Sequence, residues 1–278
     1  MILVDNNQII LSALFAQMKS TGEVDENLVR YMTLNMYRLI RSKFKKQYGD
    51  MILCHESKNS WRRDYFDEYK LNRKKQKETS SMDWDEIHSI LERIRQEVKE
   101  NFPYKNMRVD RCEGDDIIAV LTRRFHLDEE IVVVSSDKDF QQLQKYDGVV
   151  QYCPRKKRFL NCENPDYFLF EHIVTGDSSD GIPNVFSDDD TFITEGKRQN
   201  RIVRKNLDIW YHNQQDFSKT CQHGWHRNKI VIDFDEIPEY ITDSINSEYD
   251  NCDKGKNDVL NYCIRHKLKN LMENLNDF

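Results

Sequence analysis

The chain has 278 residues, of which 38% are hydrophobic and 32% are charged, and its formal net charge is −6. This length allows one large domain or two unequal ones, and we expect two. No apolar run of about 18 residues and no charged-then-apolar leader occurs, which argues against a membrane-spanning helix or a membrane partner and predicts an intracellular, soluble protein. The negative net charge, taken alone, argues against a nucleic-acid partner.

Strand-like and helix-like segments alternate along the first part of the chain. Apolar, β-rich runs occupy residues 1–5, 51–56, 106–110, 130–136 and 149–153, and helical patterns occupy residues 26–46, 83–100, 114–126 and 138–145. Strands interleaved with helices predict parallel β-α-β units with right-handed crossovers. The unbroken valine run in residues 130–136 is typical of a central strand buried on both faces. We therefore expect an α/β domain with a parallel-rich sheet over residues 1–165.

Beyond Pro165 the β-rich runs become sparse and the chain becomes more polar. This change predicts a second, mainly helical domain over residues 166–278, with a clear amphipathic helix over residues 257–275. Residues 186–200 have little periodicity and predict a mobile loop.

Cysteine usage favours reduced, mostly buried thiols. The seven cysteines are odd in number and lack paired C-x-x-C spacing, which argues against a disulfide framework or a zinc ribbon. One local group, Cys221, His223 and His226, offers three soft ligands. Because a structural zinc site normally has four ligands, an ordinary loop is the better interpretation of this group.

Acidic residues follow the ends of the predicted strands. In open α/β sheets the functional crevice lies at the carboxyl ends of the strands, so these acids are expected at one edge. A further acidic pair lies in the Gly/Ser/Asp-rich turn of residues 175–184. The candidates are Asp5, Glu56, Glu113, Asp115, Asp116, Asp137 and Asp139 after the strands, and Asp177 and Asp180 in the turn.

So many carboxylates in one crevice would repel one another and raise each other's pKa unless a cation neutralised them. Hard oxygen ligands with no nearby histidine or cysteine favour Mg²⁺ or Mn²⁺ over zinc. Two groups of acids suit a two-metal site for phosphodiester hydrolysis, in which one ion activates water and the other stabilises the leaving oxygen. The sequence therefore predicts a divalent-metal nuclease.

Each acid also has a simpler structural explanation. Asp137 could cap the helix that follows it. Glu113 and Asp116 suit the first turn of a helix, where the dipole favours acids. Asp177 and Asp180 could simply form a turn. These explanations leave unexplained why all of the acids lie at strand ends or in one special turn.

Basic residues are grouped in residues 61–77, 155–158 and 196–205, although such runs are often ordinary solvated faces. If residues 61–77 form one helix, basic residues and Phe66 share a stripe beside Trp61, Tyr65 and Tyr69. Basic groups beside rings suit a single-stranded backbone, but a helix with its aromatic residues in the core fits equally well. The candidate nucleic-acid contacts are Arg62, Arg63, Lys70, Arg73, Lys74, Lys77, Arg155, Lys156, Lys197 and Arg198.

Five motifs occur in an order and spacing that resemble the 5′-nuclease (flap endonuclease) family, and more closely its bacteriophage members. They are "LVDNNQ", "WRRDYFDEYKLNR", "DRCEGDDIIAVL", "VVSSDKDFQQL" and "TGDSSDGIPNV". The resemblance covers residues 1–183 and continues more weakly to the C terminus. It implies a PIN-like α/β nuclease domain with a helical arch over about residues 57–82, a helical C-terminal domain that binds duplex DNA, and two Mg²⁺ ions, with Mn²⁺ as a substitute.

The resemblance also implies an activity and residue roles. Such enzymes cut 5′ flaps and digest DNA and RNA:DNA duplexes from 5′ to 3′, and phage members remove RNA primers from lagging-strand fragments. The metal-facing set would be Asp5, Glu113, Asp115, Asp137 and Asp139, with Asp116 acting through water and Asp177 and Asp180 serving the second site. Lys70 and Arg73 would engage the scissile phosphate.

The same resemblance implies partners for the chain. They are branched or nicked DNA and RNA:DNA hybrids with a 5′ end, together with a single-stranded DNA-binding protein and a sliding clamp. The expected setting is the cytoplasm of an infected bacterial host, with the chain as a monomer.

Two features depart from the family pattern. Glu56 stands where an aspartate is usual, and "FSDDDTFITEGKRQ" replaces the glycine-rich helix-turn-helix expected after Val185. The first departure leaves open a non-catalytic, structure-specific DNA-binding protein with a degraded metal site. A PIN-type ribonuclease acting on structured RNA would share the acids without needing the long basic arch.

Overall fold

A six-stranded sheet lies at the centre of the structure, a computed structural model that describes residues 1–21, 23–80 and 82–278. The strands are β1 (Ile2–Asp5), β2 (Met51–His55), β3 (Lys105–Arg108), β4 (Ile131–Val134), β5 (Val149–Cys153) and β6 (Arg158–Leu160). Their order is β3-β2-β1-β4-β5-β6, with β6 antiparallel to β5 and the other neighbours parallel. The prediction of a parallel-rich α/β sheet is confirmed.

Helices cover both faces of this sheet. In the first part of the chain they are α1 (Asn6–Thr21), α2 (Glu26–Tyr48), α3 (Leu71–Glu78), α4 (Trp84–Asn101) and α5 (Gly114–Phe125). The later helices are α6 (Pro165–Thr175), α7 (Leu207–His212), α8 (Gln214–Thr220), α9 (Gln222–Ile232), α10 (Glu239–Asn251), α11 (Val259–Arg265) and α12 (Lys269–Met272). The C-terminal part is mainly helical, as expected. Among the helices of the described residues, none is both long and apolar enough to cross a bilayer.

The central strands are buried on both faces, as the valine run predicts. Val132 and Val134 of β4 belong to a cluster with the apolar residues of α1, α2 and α4. Ile131 and Val133 belong to a second cluster, built around α5. This alternation follows from the two-residue period of a strand and leaves only the strand ends for polar side chains.

The C-terminal helices complete the same two clusters. Ile241 and Ile245 of α10 pack in the cluster around α5. Tyr262 of α11 and Leu271 of α12 pack in the cluster of α1, α2 and α4. Residues 234–278 therefore share a core with the α/β part of the chain, and the domain division at residue 165 stays a prediction.

Two expected helices differ from the structure. The predicted helix of residues 257–275 is interrupted at Lys267, which has a φ of 56°, so α11 and α12 are separate. Residues 61–77 are not one helix either. The 3-10 helix Trp61–Asp64 is followed by turns and then by α3, which begins after Lys70, where φ is 59°. The two-stripe arrangement expected for a single helix is therefore wrong, and position 81 of the expected arch lies outside the described residues.

Residues 186–200 are largely irregular, with a 3-10 helix at Asp189–Phe192. The loop is held at its ends by hydrogen bonds. Asn184 Nδ2 donates to the carbonyl oxygen of Asn200 at 2.7 Å, and the Asn200 backbone N–H donates to Ser187 Oγ at 2.8 Å. The expected glycine-rich helix-turn-helix is replaced by a segment anchored through side chains.

Candidate active site

A cleft of about 350 Å³ lies at the carboxyl ends of β1, β2 and β4. The sheet order reverses between β1 and β4, and such switch points open a crevice at the strand ends. Most of the predicted acids line this cleft together with three cations. The set comprises Asp5, Glu56, Glu113, Asp115, Asp137, Asp139, Asp177 and Asp180 with Lys70, Arg73 and Lys138.

Asp5 ends β1 and is held from both sides. Its Oδ2 accepts a hydrogen bond from Ser135 Oγ at 2.9 Å, and its Oδ1 accepts the backbone N–H of Gln8 at 3.3 Å. Burial raises the pKa of Asp5 to about 6, assisted by the charges of Asp137 and Glu56 and opposed by these two hydrogen bonds. The carboxylate is thus fixed in position in a site that disfavours its charge.

Asp137 and Asp139 follow β4 and enter the cleft together. Asp137 Oδ1 accepts the backbone N–H of Asp139 at 3.0 Å, at the start of the 3-10 helix Asp139–Lys145. Asp137 therefore makes a capping contact and also lines the cleft, so the two interpretations of this residue are compatible. Burial raises the pKa of Asp139 to about 7; His172 opposes this shift and Asp137 adds to it.

Two of the acids at the start of α5 face the cleft in different surroundings. Burial, followed by the charges of Asp5 and Asp137, raises the pKa of Asp115 well above its usual range. Glu113 accepts hydrogen bonds from Lys70 Nζ at 2.8 Å and from the Tyr69 hydroxyl at 2.9 Å. Burial alone would favour the protonated form of Glu113, but Lys70 and Arg62 outweigh it and lower its pKa to about 2.

The third acid of α5, Asp116, lies inside the protein. Its Oδ2 accepts hydrogen bonds from Trp61 Nε1 at 3.1 Å and from the backbone N–H of Glu113 at 2.8 Å. Its Oδ1 forms an ion pair with Arg62 at 2.8 Å. With no exposed surface, Asp116 links Trp61 and Arg62 to α5 and, unlike the acids with which it was grouped, does not line the cleft.

The structure contradicts the expectation that Arg62 lies at the surface. It was predicted to contact nucleic acid, yet only 3% of its surface is exposed, and its Nε donates to the carbonyl oxygen of Val231 at 2.8 Å. Trp61, Phe66 and Tyr69 are also buried, which supports the interpretation that the aromatic residues of this segment belong to the core. The predicted contacts that the structure places at the surface are Arg63, Arg73, Lys74, Lys77, Arg155, Lys156, Lys197 and Arg198.

The base of the arch is hydrogen-bonded to the Gly/Ser/Asp turn. The Lys70 backbone N–H donates to the carbonyl oxygen of Asp180 at 2.8 Å, and Asn72 Nδ2 donates to that of Ser178 at 2.8 Å. The side chain of Arg73 also donates to Asp180, whose other oxygen accepts the Tyr69 hydroxyl at 3.3 Å. The acidic Gly/Ser/Asp turn and the positively charged segment around Lys70 lie about a hundred residues apart in sequence. These hydrogen bonds join them into one unit.

Gly176 gives this turn its shape. Its φ is 67°, and a Cβ at this position would lie 2.4 Å from the carbonyl oxygen of Ile182, so only glycine fits. The backbone N–H of Asp177 donates to the same carbonyl at 2.9 Å. The turn thereby directs Asp177 toward Asp139 and away from Asp180, which pairs with the arch instead.

His172, at the end of α6, is a residue that the sequence argument missed. Its side chain is 4% exposed; Nε2 lies 3.2 Å from Asp177 Oδ2 and Nδ1 lies 3.5 Å from Asp139 Oδ1. The expectation that no histidine lies near the acids is therefore wrong. The available signal was its position five residues before Asp177, across a turn tight enough to fold back on the helix.

Asp177 is surrounded by donors. Ser179 donates to Oδ1 through its N–H at 2.8 Å and its hydroxyl at 2.7 Å, and Lys138 Nζ lies 2.9 Å from Oδ2. Burial alone would raise the pKa of Asp177, but His172, Ser179 and Lys138 together hold it far below its usual range. Asp177 is thus ionised while the neighbouring Asp139 favours its proton.

The side chains fit a divalent cation. Among the residues that the structure describes, one group of three or more His, Cys, Asp or Glu side chains has its ligand atoms within 4.8 Å of one another, namely Asp139, His172 and Asp177. Cys221, His223 and His226 form no such group within that part of the chain; they lie at the start of α9 and not in the loop expected for them. The seven cysteines are free thiols. The buried Oδ1 of Asp139 has no hydrogen-bond partner among the described residues, as expected of an oxygen that binds an ion.

Family comparisons cover the entire chain. The family model described as 5′-3′ exonuclease, N-terminal resolvase-like domain, matches residues 1–166, and the model described as T4 RNase H, C terminal, matches residues 164–278. The chain is 29% identical to Ribonuclease H of Enterobacteria phage T4 over 291 residues, covering 99% of this chain and 95% of that protein. It is 23% identical to a 5′-3′ exonuclease of Mycoplasmopsis pulmonis over 192 residues, covering 66% and 61% of the two chains.

Solved structures share the fold. The chain superimposes on the 5′-exonuclease of bacteriophage T5 with bound zinc ions with a TM-score of 0.64 and 17% identity, covering 89% of this chain and 97% of that one. A complex of the bacteriophage T5 flap endonuclease with DNA and metal ions gives a TM-score of 0.64 and 15% identity, with 89% and 96% covered. The PIN-like α/β fold with a helical C-terminal part is confirmed. The chain therefore belongs to the 5′-3′ exonuclease family of nucleases, with a C-terminal part of the T4 RNase H type.

Proposed function

We propose that this nuclease is a Mg²⁺-dependent 5′ to 3′ exonuclease and flap endonuclease. Its substrates are DNA:DNA and RNA:DNA duplexes with a 5′ end, and its role is the removal of RNA primers from lagging-strand fragments during phage replication. The observation that carries the proposal is the single cleft in which eight carboxylates face Lys70 and Arg73. The T4 relative, named Ribonuclease H and matched over 99% of this chain, supports the substrate class.

The residues of the cleft divide the work of phosphodiester hydrolysis. Glu113, Asp115, Asp137 and Asp139 would hold one ion, with Asp5 and Glu56 shaping the same site, and Asp177 and Asp180 would serve a second ion. Mg²⁺ held there would supply a hydroxide nucleophile and stabilise the leaving oxygen. Lys70 and Arg73, at the base of the arch, donate hydrogen bonds to the scissile phosphate and offset its developing charge. Arg62 and Asp116 hold the arch against α5 from inside.

The nucleic acid would extend from the cleft over basic residues outside it. Arg63, Lys74 and Lys77 of the arch and Arg155 and Lys156 of the β5–β6 hairpin are exposed and offer positive charge to phosphates. We assign most of the nuclease chemistry to residues 1–165, to which Asp177 and Asp180 add from beyond that boundary. We assign duplex binding to the rest of residues 166–278, including Lys197 and Arg198. A single-stranded DNA-binding protein and a sliding clamp are the proposed protein partners of a monomer in the host cytoplasm.

A cleavage assay on a labelled 5′-flap substrate and on an RNA:DNA hybrid tests this proposal. Cleavage is expected with Mg²⁺ and not with chelator, and Asp139→Asn should abolish it while leaving flap binding within a few-fold of wild type. Asp147→Asn is the matched control, because Asp147 lies in the exposed turn before β5, at the opposite edge of the sheet. Cleavage by Asp139→Asn at the wild-type rate would refute the site assignment.

Two alternative functions give different results in the same assay. A non-catalytic flap-binding protein would bind the flap but cleave neither substrate with Mg²⁺ or Mn²⁺. Glu56, the departure that motivates this alternative, lines the cleft with the other acids. A ribonuclease acting on structured RNA would cleave circular and 5′-blocked substrates as well as those with a free 5′ end, whereas the proposed 5′-nuclease requires the free end.

A further inference from the structure

Three elements bring an imidazole to the acidic cleft. His172 is buried in the last turn of α6, the turn at Gly176 folds the chain back, and the 3-10 helix Asp139–Lys145 begins beside it. His172 Nδ1 lies 3.5 Å from Asp139 Oδ1, and its Nε2 lies 3.2 Å from Asp177 Oδ2. The family resemblance assigns metal binding to five carboxylates, which follow β1, β3 and β4. It assigns no role to this histidine.

The two atoms that face each other are unsatisfied. Neither His172 Nδ1 nor Asp139 Oδ1 has a hydrogen-bond partner among the described residues, and both atoms are shielded from solvent. A separation of 3.5 Å is too long for a good hydrogen bond between them. A buried pair left in this way is destabilising, so something in the working protein is expected to satisfy it.

A metal ion bound by both atoms would account for the 3.5 Å between His172 Nδ1 and Asp139 Oδ1. A nitrogen and an oxygen that bind one transition-metal ion, each at about 2.1 Å, lie roughly 3.0 to 3.5 Å apart in octahedral or tetrahedral geometry. The opposite ring nitrogen of a metal-binding histidine usually donates its proton to a carboxylate, which fixes the tautomer and the ring orientation. Asp177 Oδ2 is placed to accept that proton, and Ser179 holds the other Asp177 oxygen.

We propose that His172 is a metal ligand, through Nδ1, in a mixed nitrogen and oxygen site with Asp139, with Asp177 orienting the imidazole. This inference rests on the proposed metal dependence and deepens it. Imidazole favours first-row transition cations over Mg²⁺, which prefers oxygen ligands and retains water. The site therefore favours Mn²⁺ or Co²⁺ over Mg²⁺ more strongly than a site made of carboxylates alone.

Lys138 places a positive charge beside the proposed ion site. Its ammonium lies 2.9 Å from Asp177 Oδ2 and is half exposed, so it can turn toward solvent when a cation binds. Lys138→Met removes this positive charge and keeps all the ligands. It is expected to strengthen Mn²⁺ binding severalfold, because one positive charge near an ion opposes it.

Pulsed electron paramagnetic resonance of Mn²⁺ bound to the full chain tests the ligand directly. Wild-type protein titrated with Mn²⁺ should show hyperfine coupling to a directly bound ¹⁴N nucleus. His172→Gln, which keeps a polar group of similar size, and His172→Ala should both lose it. Mn²⁺ affinity, measured by calorimetry, should fall about 10- to 100-fold in both variants, with a much smaller change for Mg²⁺.

Asp177→Asn separates a ligand role of His172 from a purely hydrogen-bonding one. The amide oxygen of asparagine can still accept the Nε2 proton, so the ¹⁴N coupling should persist in this variant. Thermal unfolding of each variant in chelator confirms that the fold is intact before affinities are compared.

Three results would overturn the inference. Bound Mn²⁺ without ¹⁴N coupling in the wild type would show that His172 is not a ligand, and Mg²⁺-dependent flap cleavage by the same preparation would leave the proposed function standing. Coupling that survives in both His172 variants would assign the nitrogen to another residue. Failure to bind any divalent cation would remove the proposed metal dependence and the inference with it.

Discussion

Lys70 Nζ lies 2.8 Å from Oε2 of Glu113, so the base of the arch is in direct contact with the acidic edge of the sheet. A second acid, Asp180, lies 3.6 Å from the same ammonium, which is partly shielded from solvent. Burial would lower the pKa of Lys70, but Glu113 leads the opposing effects and raises it well above its usual range. A permanently charged ammonium is thereby held beside the carboxylates, where a phosphate would arrive.

Lys70→Met is expected to slow cleavage strongly. The substitution keeps the length and packing of the side chain and removes its charge, which we propose offsets charge on the scissile phosphate. Loss of one such donor typically costs about 10²-fold or more in rate. Single-turnover cleavage of a 5′ flap in Mg²⁺ measures the effect without interference from product release.

Lys219→Met is the matched control for this variant. Lys219 lies on α8, where its exposed side chain pairs only with Asp216 at 2.9 Å among the contacts described. Its substitution should leave the single-turnover rate within about twofold of wild type, because a surface ion pair contributes little. Equal rates for the two variants would remove Lys70 from the proposed chemistry.

Asp115 and Asp116 are adjacent in sequence but should respond oppositely to substitution. Asp116 is fully buried and paired with Arg62, so Asp116→Ala leaves this buried cation with only the longer contact to Glu113 at 3.7 Å. Breaking such a pair costs about 3–5 kcal/mol in the free energy of unfolding. Asp115 carries a pKa raised by burial and by its acidic neighbours, so Asp115→Asn should stabilise the metal-free protein at neutral pH. Urea unfolding in chelator, at one pH, compares the two.

Divalent-cation binding provides the complementary measurement. Asp115→Asn should weaken cation binding while increasing stability, because it removes a cleft acid. A destabilisation of Asp115→Asn comparable to that of Asp116→Ala would mean that the two acids share one structural role.

The sheet and the acidic edge could be predicted because both depend on local patterns. Val132, Val133 and Val134 form a buried parallel strand in any α/β protein, and the strand order then delivers Asp5 and Asp137 to the same switch point. The grouping of the acids thus follows from connectivity alone. The separation of Asp177 from Asp180 does not follow from connectivity, because it depends on which side chains across the cleft pair with each carboxylate.

The features that were missed depend on contacts between distant segments. The break before α3 occurs at Lys70, whose left-handed backbone is supported by a hydrogen bond from its N–H to Asp180, 110 residues away. Arg62 lies in a basic run that suggests a surface, yet Asp116 and the Val231 carbonyl satisfy it inside the protein. The pattern of the local sequence does not predict these long-range partners.

The salt dependence of DNA binding should distinguish free from paired lysines. Lys156, at the tip of the β5–β6 hairpin, is exposed, whereas Lys197 is already paired with Asp188 at 2.8 Å and with Asp190. If Lys156 neutralises one phosphate, Lys156→Met should reduce the slope of log K against log salt by about 0.9. Lys197→Met should change it less. Fluorescence anisotropy over a salt series gives both slopes, and a larger effect of Lys197 would place the duplex on the loop of residues 186–200.

Two groups of carboxyls in the cleft make opposite contributions to stability as pH changes. Glu113, with its pKa lowered to about 2, contributes stability that is present above about pH 4.5 and is lost only as pH falls toward 2. Asp5 and Asp139 have raised pKa values of about 6 and about 7, so their contribution is present below about pH 4 and is lost as pH rises toward 7. Between pH 5 and pH 8 the second group dominates.

Asp139→Asn should therefore stabilise the metal-free protein, and increasingly so as pH rises. An asparagine has no charge to bury, so the difference in free energy of unfolding between variant and wild type should grow between pH 5 and pH 8 by on the order of 2 kcal/mol. Urea unfolding in chelator at several pH values measures this difference. Saturating Mg²⁺ should reverse its sign at pH 8, because the wild type gains binding energy that the variant lacks. If the difference in free energy of unfolding did not depend on pH, burial would not disfavour the ionised form of Asp139. The carboxylate would then need no cation to offset its charge.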